Sequence, residues 1–271
     1  NTADLQLYAD LVWYVLYYEH FADRNQNPVK PTEEEQAWEG FLASLSYWTE
    51  IRDYEIPNCQ KPDHVYACLH QVNRAFFNIF HCVLGHSWPI CKLRARIWES
   101  IFTHDMRRSR NTLYGSMNEV TTLITGPTGT GKELVARAVG LSQYVPFDPK
   151  KKQFAEIESD RFFPLNLSAF SPTLIESELF GHAKGSFTGA TSNRVGWLQA
   201  AGRYGTVFLD EIGELDLSIQ VKLLRVAVIR LQYQRTWQDV VLTSSSGTAL
   251  RNLVGCMSSA LNCTTQLEST D

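Results

Sequence analysis

Gly126-Pro127-Thr128-Gly129-Thr130-Gly131-Lys132 has the Walker A spacing: a glycine, four residues, then Gly-Lys. The residues before it, Thr121-Thr122-Leu123-Ile124-Thr125, are β-branched and apolar, as a buried strand should be. Those after it, Glu133 to Val139, are helix formers with an apolar stripe. Strand, glycine loop and helix is the context in which this motif works. The glycines let backbone N–H groups turn inward around a phosphate, and the helix N-terminus adds partial positive charge. Lys132 then reaches the β- and γ-phosphates. The nucleotide-binding set read from the motif is Gly126, Pro127, Thr128, Gly129, Thr130, Gly131, Lys132, Glu133 and Leu134.

The residue after the motif lysine is usually Ser or Thr, whose hydroxyl meets Mg²⁺; here it is Glu133. The metal must then be held by water and by acids elsewhere. Gly205-Thr206-Val207-Phe208-Leu209-Asp210-Glu211 supplies them, an apolar strand ending in two carboxylates, the Walker B arrangement. Asp210 is placed to hold Mg²⁺, and Glu211 to polarise the attacking water. In-line phosphoryl transfer needs both, because catalysis there is mostly positioning and charge stabilisation. Together the motifs point to ATP with Mg²⁺ as cofactors.

Between them runs Glu176-Ser177-Glu178-Leu179-Phe180-Gly181-His182-Ala183-Lys184-Gly185-Ser186-Phe187-Thr188-Gly189-Ala190. This stretch resembles the signature of the sigma-54-dependent transcription activators, a branch of the AAA+ ATPases. Their hallmark loop reads Gly-Ala-Phe-Thr-Gly-Ala; here it is Gly-Ser-Phe-Thr-Gly-Ala. Glu133, Pro164–Ala169 with Asn166, Asp210–Glu214, Gln220–Val226 and the upstream Val83–Ser87 also resemble the family. The likeness covers about Val83 to Val226. It implies that Gly185, Ser186, Phe187, Thr188, Gly189 and Ala190 engage sigma-54, with Phe187 and Thr188 at the tip. It also implies that Asn166 pairs with the Walker B glutamate and relays nucleotide state to that loop.

Two segments depart from the family pattern. Val145–Arg161, with Pro146, Pro149 and Lys150-Lys151-Lys152, reads as a solvated surface insertion. After Val226 no arginine fingers, sensor strand, helical lid or DNA-reading helix can be read, and a Ser/Thr-rich run follows at Thr243–Gly247. Residues 227–271 are therefore expected to be an aberrant or disordered tail, the product of a truncation or a frame slip. Because Asn1 is not Met, the chain is read as a fragment lacking its start as well.

Composition sets the bounds. With 271 residues, 44% hydrophobic and 12% aromatic, the chain can build a core in one or two domains. A net charge of −4 argues against a chain whose main business is binding DNA phosphates. The longest apolar run, Leu11–Tyr18 between Asp10 and Glu19, is too short to span a bilayer. No signal peptide is visible, so the expected compartment is the cytoplasm with reduced thiols.

Residues 1–78 read as a separate helical region, with Leu5, Tyr8, Leu11, Val12 and Val15 at helical spacing and prolines at 28, 31, 57 and 62. Its aromatics are expected in a core rather than around a sensory pocket. Cys59, Cys68, His70, His81, Cys82, His86 and Cys91 tempt a zinc reading, but their spacing lacks any Cys-x₂-Cys or His-x₃-His pair, and buried thiols fit better. Arg107, Arg108 and Arg110 read as a solvated helix face.

The expected architecture is thus α/β: a P-loop (AAA+) parallel sheet flanked by helices over 79–226, preceded by a small helical region. The resemblance implies a ring-forming homo-oligomeric ATPase that remodels the sigma-54 RNA polymerase holoenzyme, meeting DNA only through segments not seen here and having no membrane partner. In that scheme Lys132, Glu211 and Asn166 are catalytic, and Asp210 with Glu211 holds the metal. The competing reading is a regulatory module that binds nucleotide without hydrolysing it.

Overall fold

The computed structural model describes residues 2–24, 30–51, 54–102, 106–114, 122–155, 162–186, 190–202, 204–212, 215, 219, 223 and 239–244. The first elements are α1 (Thr2–His20), α2 (Pro31–Thr49), α3 (Pro62–Cys82), α4 (Trp88–Phe102) and a short α5 (Met106–Arg108). Then come β1 (Thr122–Thr125), α6 (Lys132–Gly140), β2 (Phe147–Asp148), β3 (Gln153–Phe154) and β4 (Phe162–Asn166). The last are α7 (Pro172–Phe180), β5 (Gly181–His182), β6 (Arg194–Val195), α8 (Trp197–Ala200), β7 (Thr206–Asp210) and β8 (Asp239–Ser244). They form two compact units: Asn1–Met117 with Leu141–Asp160, and Asn118–Gly140 with Arg161–Asp271. The helical unit therefore runs past the boundary expected near residue 78 and takes in a later segment.

In the helical unit, Pro31 and Pro62 sit in the first turns of α2 and α3, where a missing N–H costs nothing. α1 buries Ala9, Val12, Trp13 and Leu16, and α2 buries Trp38, Phe41 and Leu45, each set on one helical face. They close around Tyr66 of α3, whose ring centroid lies 4.9 Å from Phe41 and 5.2 Å from Trp38. Each such side chain contributes about 1.5–3 kcal/mol by leaving water.

The segment expected to be a solvated insertion completes this core. β2 and β3 pair antiparallel with Phe147 opposite Phe154, and both rings are buried against Tyr66 at 4.9 and 5.6 Å. The lysines occupy the turn between them, where Asp148 Oδ1 accepts from the backbone N–H of Lys150 (2.9 Å) and Lys151 (3.3 Å). Lys152 pairs with Glu35 and Glu39 of α2. Three charges in a row obscured an aromatic residue on either side of them.

The arginines also differ from expectation: Arg107 and Arg110 both bind Asp10 of α1, and Arg110 lies over the Trp13 ring at 4.5 Å. These two hydrogen-bonded guanidinium groups hold the Asp10 carboxyl below its usual range, against the opposing pull of burial.

The second unit is built on a four-stranded parallel sheet of order β1-β8-β7-β4. β7 is apolar and buried along nearly its whole length, as a strand covered on both faces must be. α6 packs on the sheet with Gly140 against β7; a Cβ on Gly140 would lie 2.8 Å from the Thr206 methyl. Leu165, Leu167, Ile175, Leu179, Leu198, Val207 and Leu209 form the core on which α7 and α8 rest. β8 comes from within 227–271, the stretch expected to be aberrant. Its Asp239-Val240-Val241-Leu242-Thr243-Ser244 is short and β-branched enough to fill the place between β1 and β7. The rest of that stretch lies outside the described residues. Among the described residues, no helix is long and apolar enough to cross a membrane.

Candidate nucleotide-binding site

The glycine loop joins β1 to α6 as its sequence requires. Gly129 and Gly131 have φ of 78° and 84°, a region that strains any residue with a Cβ. The Gly131 carbonyl accepts from Leu134 N–H (3.0 Å) and Val135 N–H (3.3 Å), which starts the nine-residue helix at Lys132. Thr130 Oγ1 donates to the Pro127 carbonyl at 2.8 Å and closes the loop on itself. Thr128, Gly129 and Thr130 are exposed, as are Glu133 and Leu134 in the first turn of α6.

Lys132 is only 8% exposed, and its Nζ donates to the carbonyls of Gly126 and Pro127, each at 3.2 Å. Both acceptors are neutral dipoles of the loop itself. A cation held this way, beside the orphan N–H groups of a helix start, fits a polyphosphate.

Strands of one parallel sheet end on one edge, so the C-terminal ends of β1 and β7 bring the glycine loop and Asp210 to the same side. Asp210 is the last residue of β7, and its Oδ1 accepts from Glu211 N–H at 3.0 Å. Glu211 follows at φ 58°, rare for a residue with a side chain and of order 1–3 kcal/mol in strain. Both carboxylates are half-buried.

The β4–β7 register sets Asn166 opposite Asp210, at the same edge. Asn166 Oδ1 accepts from Ser168 N–H (3.0 Å) and Ser168 Oγ (2.6 Å), capping the short turn Leu167–Ala169. The sheet therefore gathers Lys132, Asn166, Asp210 and Glu211 along one edge.

Of the hexapeptide loop, Gly185 and Ser186 are exposed and Ala190 is buried; Phe187, Thr188 and Gly189 lie outside the described residues. The loop's base is pinched by Gly185 N–H donating to the Ala190 carbonyl at 3.0 Å. Beneath it β5 and β6 pair, Ser177 and His182 meet at 2.6 Å, and Glu178 accepts from Arg194 (2.7 Å) and Trp197 Nε1 (3.2 Å). These contacts fix where the loop leaves the domain.

The cysteine and histidine set behaves differently. Cys59, Cys68 and Cys82 are buried free thiols, and Cys91 is exposed. Burial pushes the Cys59 and Cys68 thiols up, away from the thiolate that a metal would need. His64 Nε2 lies 2.6 Å from the Arg110 carbonyl, which can only accept, so Nε2 carries the proton and Nδ1 accepts from Tyr144 at 3.0 Å. Among the described residues no three His, Cys, Asp or Glu side chains converge as a metal site. Sequence reasoning missed Arg24, Glu34 and Tyr66, which form a buried triad, and the donors Gln71, Arg74 and Asn78 on α3. Only their helical spacing could have signalled them.

A glycine loop feeding a helix, with an acidic strand end on the same edge of a parallel sheet, defines a P-loop nucleotide-binding domain. Residues 102–238 match the sigma-54 interaction domain, and the chain belongs to that family, whose fold is the AAA+ P-loop fold. It is 49% identical over 109 residues to the sigma54-dependent transcriptional regulator SfnR of Pseudomonas fluorescens, covering 40% of this chain and 26% of that protein. It is 44% identical over 137 residues to the anaerobic nitric oxide reductase transcription regulator NorR of Aliivibrio fischeri, covering 51% and 23%. The chain thus spans about a quarter of the length of these curated relatives. Among solved structures, NtrX from Brucella abortus shares 21% identity over 76% of this chain and 41% of its own, with a TM-score of 0.42, too slight a likeness to bear on the fold.

Proposed function

We propose that this chain carries the ATPase of a sigma-54-dependent transcription activator, which couples ATP hydrolysis to remodelling of the closed promoter complex in the cytoplasm. The observation that carries the reading is the single sheet edge shared by the Lys132 loop and the Asp210–Glu211 strand end. Bound Mg²⁺ would supply charge neutralisation across the β- and γ-phosphates. Gly126 to Leu134 bind the polyphosphate through backbone N–H groups and the Lys132 ammonium. Asp210 takes the metal side of the site. Glu211 orients the water and accepts its proton, with Asn166 one strand away to sense whether the glutamate is engaged. Gly185–Ala190 engages sigma-54 in a ring of identical chains, because two glycines and an apolar tip suit a loop that must extend and anchor.

The test is Mg²⁺-ATP turnover by the chain over a range of protein concentrations, alongside binding of a fluorescent ADP analogue. The proposal expects turnover rising more than linearly with concentration, and a Glu211→Gln variant that binds ATP yet turns over at least about 100-fold more slowly. Nucleotide bound at every concentration with no turnover would instead leave a regulatory nucleotide-binding module.

A further inference from the structure

The hexapeptide loop stands on a narrow neck whose two strands join two helices. α7 stops at Phe180, and Gly181 turns the chain into β5 at φ 75°, where a Cβ would lie 2.4 Å from the Arg194 carbonyl oxygen. Gly196, the N-cap of α8, is packed as closely: a Cβ there would lie 2.4 Å from Gly181 N. Beside these glycines β5 and β6 pair over two residues each, Gly181 with Val195 and His182 with Arg194. So short an antiparallel ladder is too weak to hold an orientation by itself.

Side chains of α7 supply what the ladder lacks. Ser177 and Glu178 are consecutive on that helix, and each holds one member of the His182–Arg194 pair. Ser177 Oγ meets His182 Nδ1 at 2.6 Å, and the Glu178 carboxylate accepts from Arg194 Nη2 at 2.7 Å. The same carboxylate accepts from Trp197 Nε1 at 3.2 Å, and the Trp197 ring lies 5.9 Å from that of Phe163 on β4. Ile175 and Leu179 bed α7 in the core of the sheet unit. The Arg194 side chain is half exposed, yet that of Glu178 is only 12% exposed, so this is more than a surface ion pair. Losing its donors would leave a carboxylate largely out of water. Nearer the loop, Lys184 N–H donates to Asn193 Oδ1 at 2.7 Å and Gly185 N–H to the Ala190 carbonyl at 3.0 Å. All of these residues lie in the parallel-sheet unit.

We propose that Ser177 and Glu178 are positioning residues for sigma-54 recognition: they aim the Gly185–Ala190 loop by gripping both strands of its neck, without themselves reaching the partner. The recognition role rests on the sigma-54 reading above; the aiming of the loop does not. Glu178 carries the larger share, because one carboxylate joins β6, α8 and, through Trp197, the sheet.

The experiment uses the whole chain, fluorophore-labelled sigma-54 as the probe, and amide hydrogen exchange over the neck. Glu178→Gln keeps the size of the side chain and removes its charge. The expected result is a sigma-54 Kd weakened about tenfold or more, with faster exchange of the Gly185 amide. Exchanging the charges, Glu178→Arg with Arg194→Glu, should recover part of both. Ser177→Ala serves in place of Glu178→Gln if the latter loses helical circular dichroism, and is read by the same two signals. Contacts that are only structural would lower the unfolding midpoint and leave sigma-54 affinity and Gly185 exchange where they were, which overturns the proposal. If the unaltered chain binds no sigma-54, the sigma-54 reading fails and the recognition role falls with it. Gly185 exchange in Glu178→Gln then decides by itself whether the carboxylate aims the loop.

Discussion

In the helical unit one buried set of charges, Arg24 with Glu34 and Tyr66, is closed on itself. Arg24 donates to the Tyr66 hydroxyl at 2.8 Å and to Glu34, Tyr66 donates to Glu34 at 2.8 Å, and Asn73 Nδ2 holds the Arg24 carbonyl at 3.2 Å. In the nucleotide unit Lys132 is just as buried, yet among the described residues it meets only loop carbonyls, and Glu211 sits on strained backbone at the end of a buried strand. The first arrangement satisfies a fold and leaves nothing for a ligand to do. The second sets a buried cation and a strained backbone at one sheet edge, the arrangement on which the proposed nucleotide site rests. The difference teaches where to look for chemistry: a carboxylate closes on Arg24, whereas among the described residues none closes on Lys132.

The largest test of this contrast is Phe154→Ala, which should cost the helical unit about 3–5 kcal/mol in thermal unfolding, as for a buried aromatic. An unchanged midpoint would detach β2–β3 from the helical core and dissolve the division between the units. Next, Lys132→Ala should weaken binding of a fluorescent ADP analogue by about 2–5 kcal/mol, while leaving the unfolding midpoint near that of the unaltered chain. Loss of stability with affinity intact would show that Lys132 is a structural cation like Arg24.

The smallest test is acid. Burial beside Arg74 and Arg24 holds the His70 imidazole well below its usual range, and burial lowers His64 and His20 in the same direction. Above about pH 6.5 these rings are neutral in both folded and unfolded chains, so they add no slope. Below it the unfolded chain takes up protons that the folded unit refuses, and stability falls as pH falls. The limit is about 1.4 kcal/mol per pH unit for each fully depressed ring. Denaturant midpoints from pH 7.5 to 5 should show this, and His70→Phe should flatten the curve. A flat curve in the unaltered chain would mean that His70 is solvated.

How much of this was legible follows from range. The glycine loop, the Asp210–Glu211 strand end and the parallel α/β class could all be read, because each depends on neighbours in sequence and on φ angles that only glycine adopts freely. The helical faces of α1 and α2 were legible for the same local reason. Phe147 and Phe154 were not, since an intervening run of lysines outweighs two aromatics in any reading of composition. Asp239–Ser244 was missed as well, because its six residues become a strand only between β1 and β7.

Sequence by itself therefore determined the glycine loop that ends in Lys132 and the acidic strand end at Asp210, because backbone geometry and strand polarity are written locally. Only the tertiary structure decided that the segment after α6 belongs with α1, α2 and α3. It alone also decided that Arg74, some 67 residues before Leu141, closes on that carbonyl. Hydrogen bonds and burial between distant residues depend on which surfaces the folded chain brings together, and no local pattern encodes that meeting.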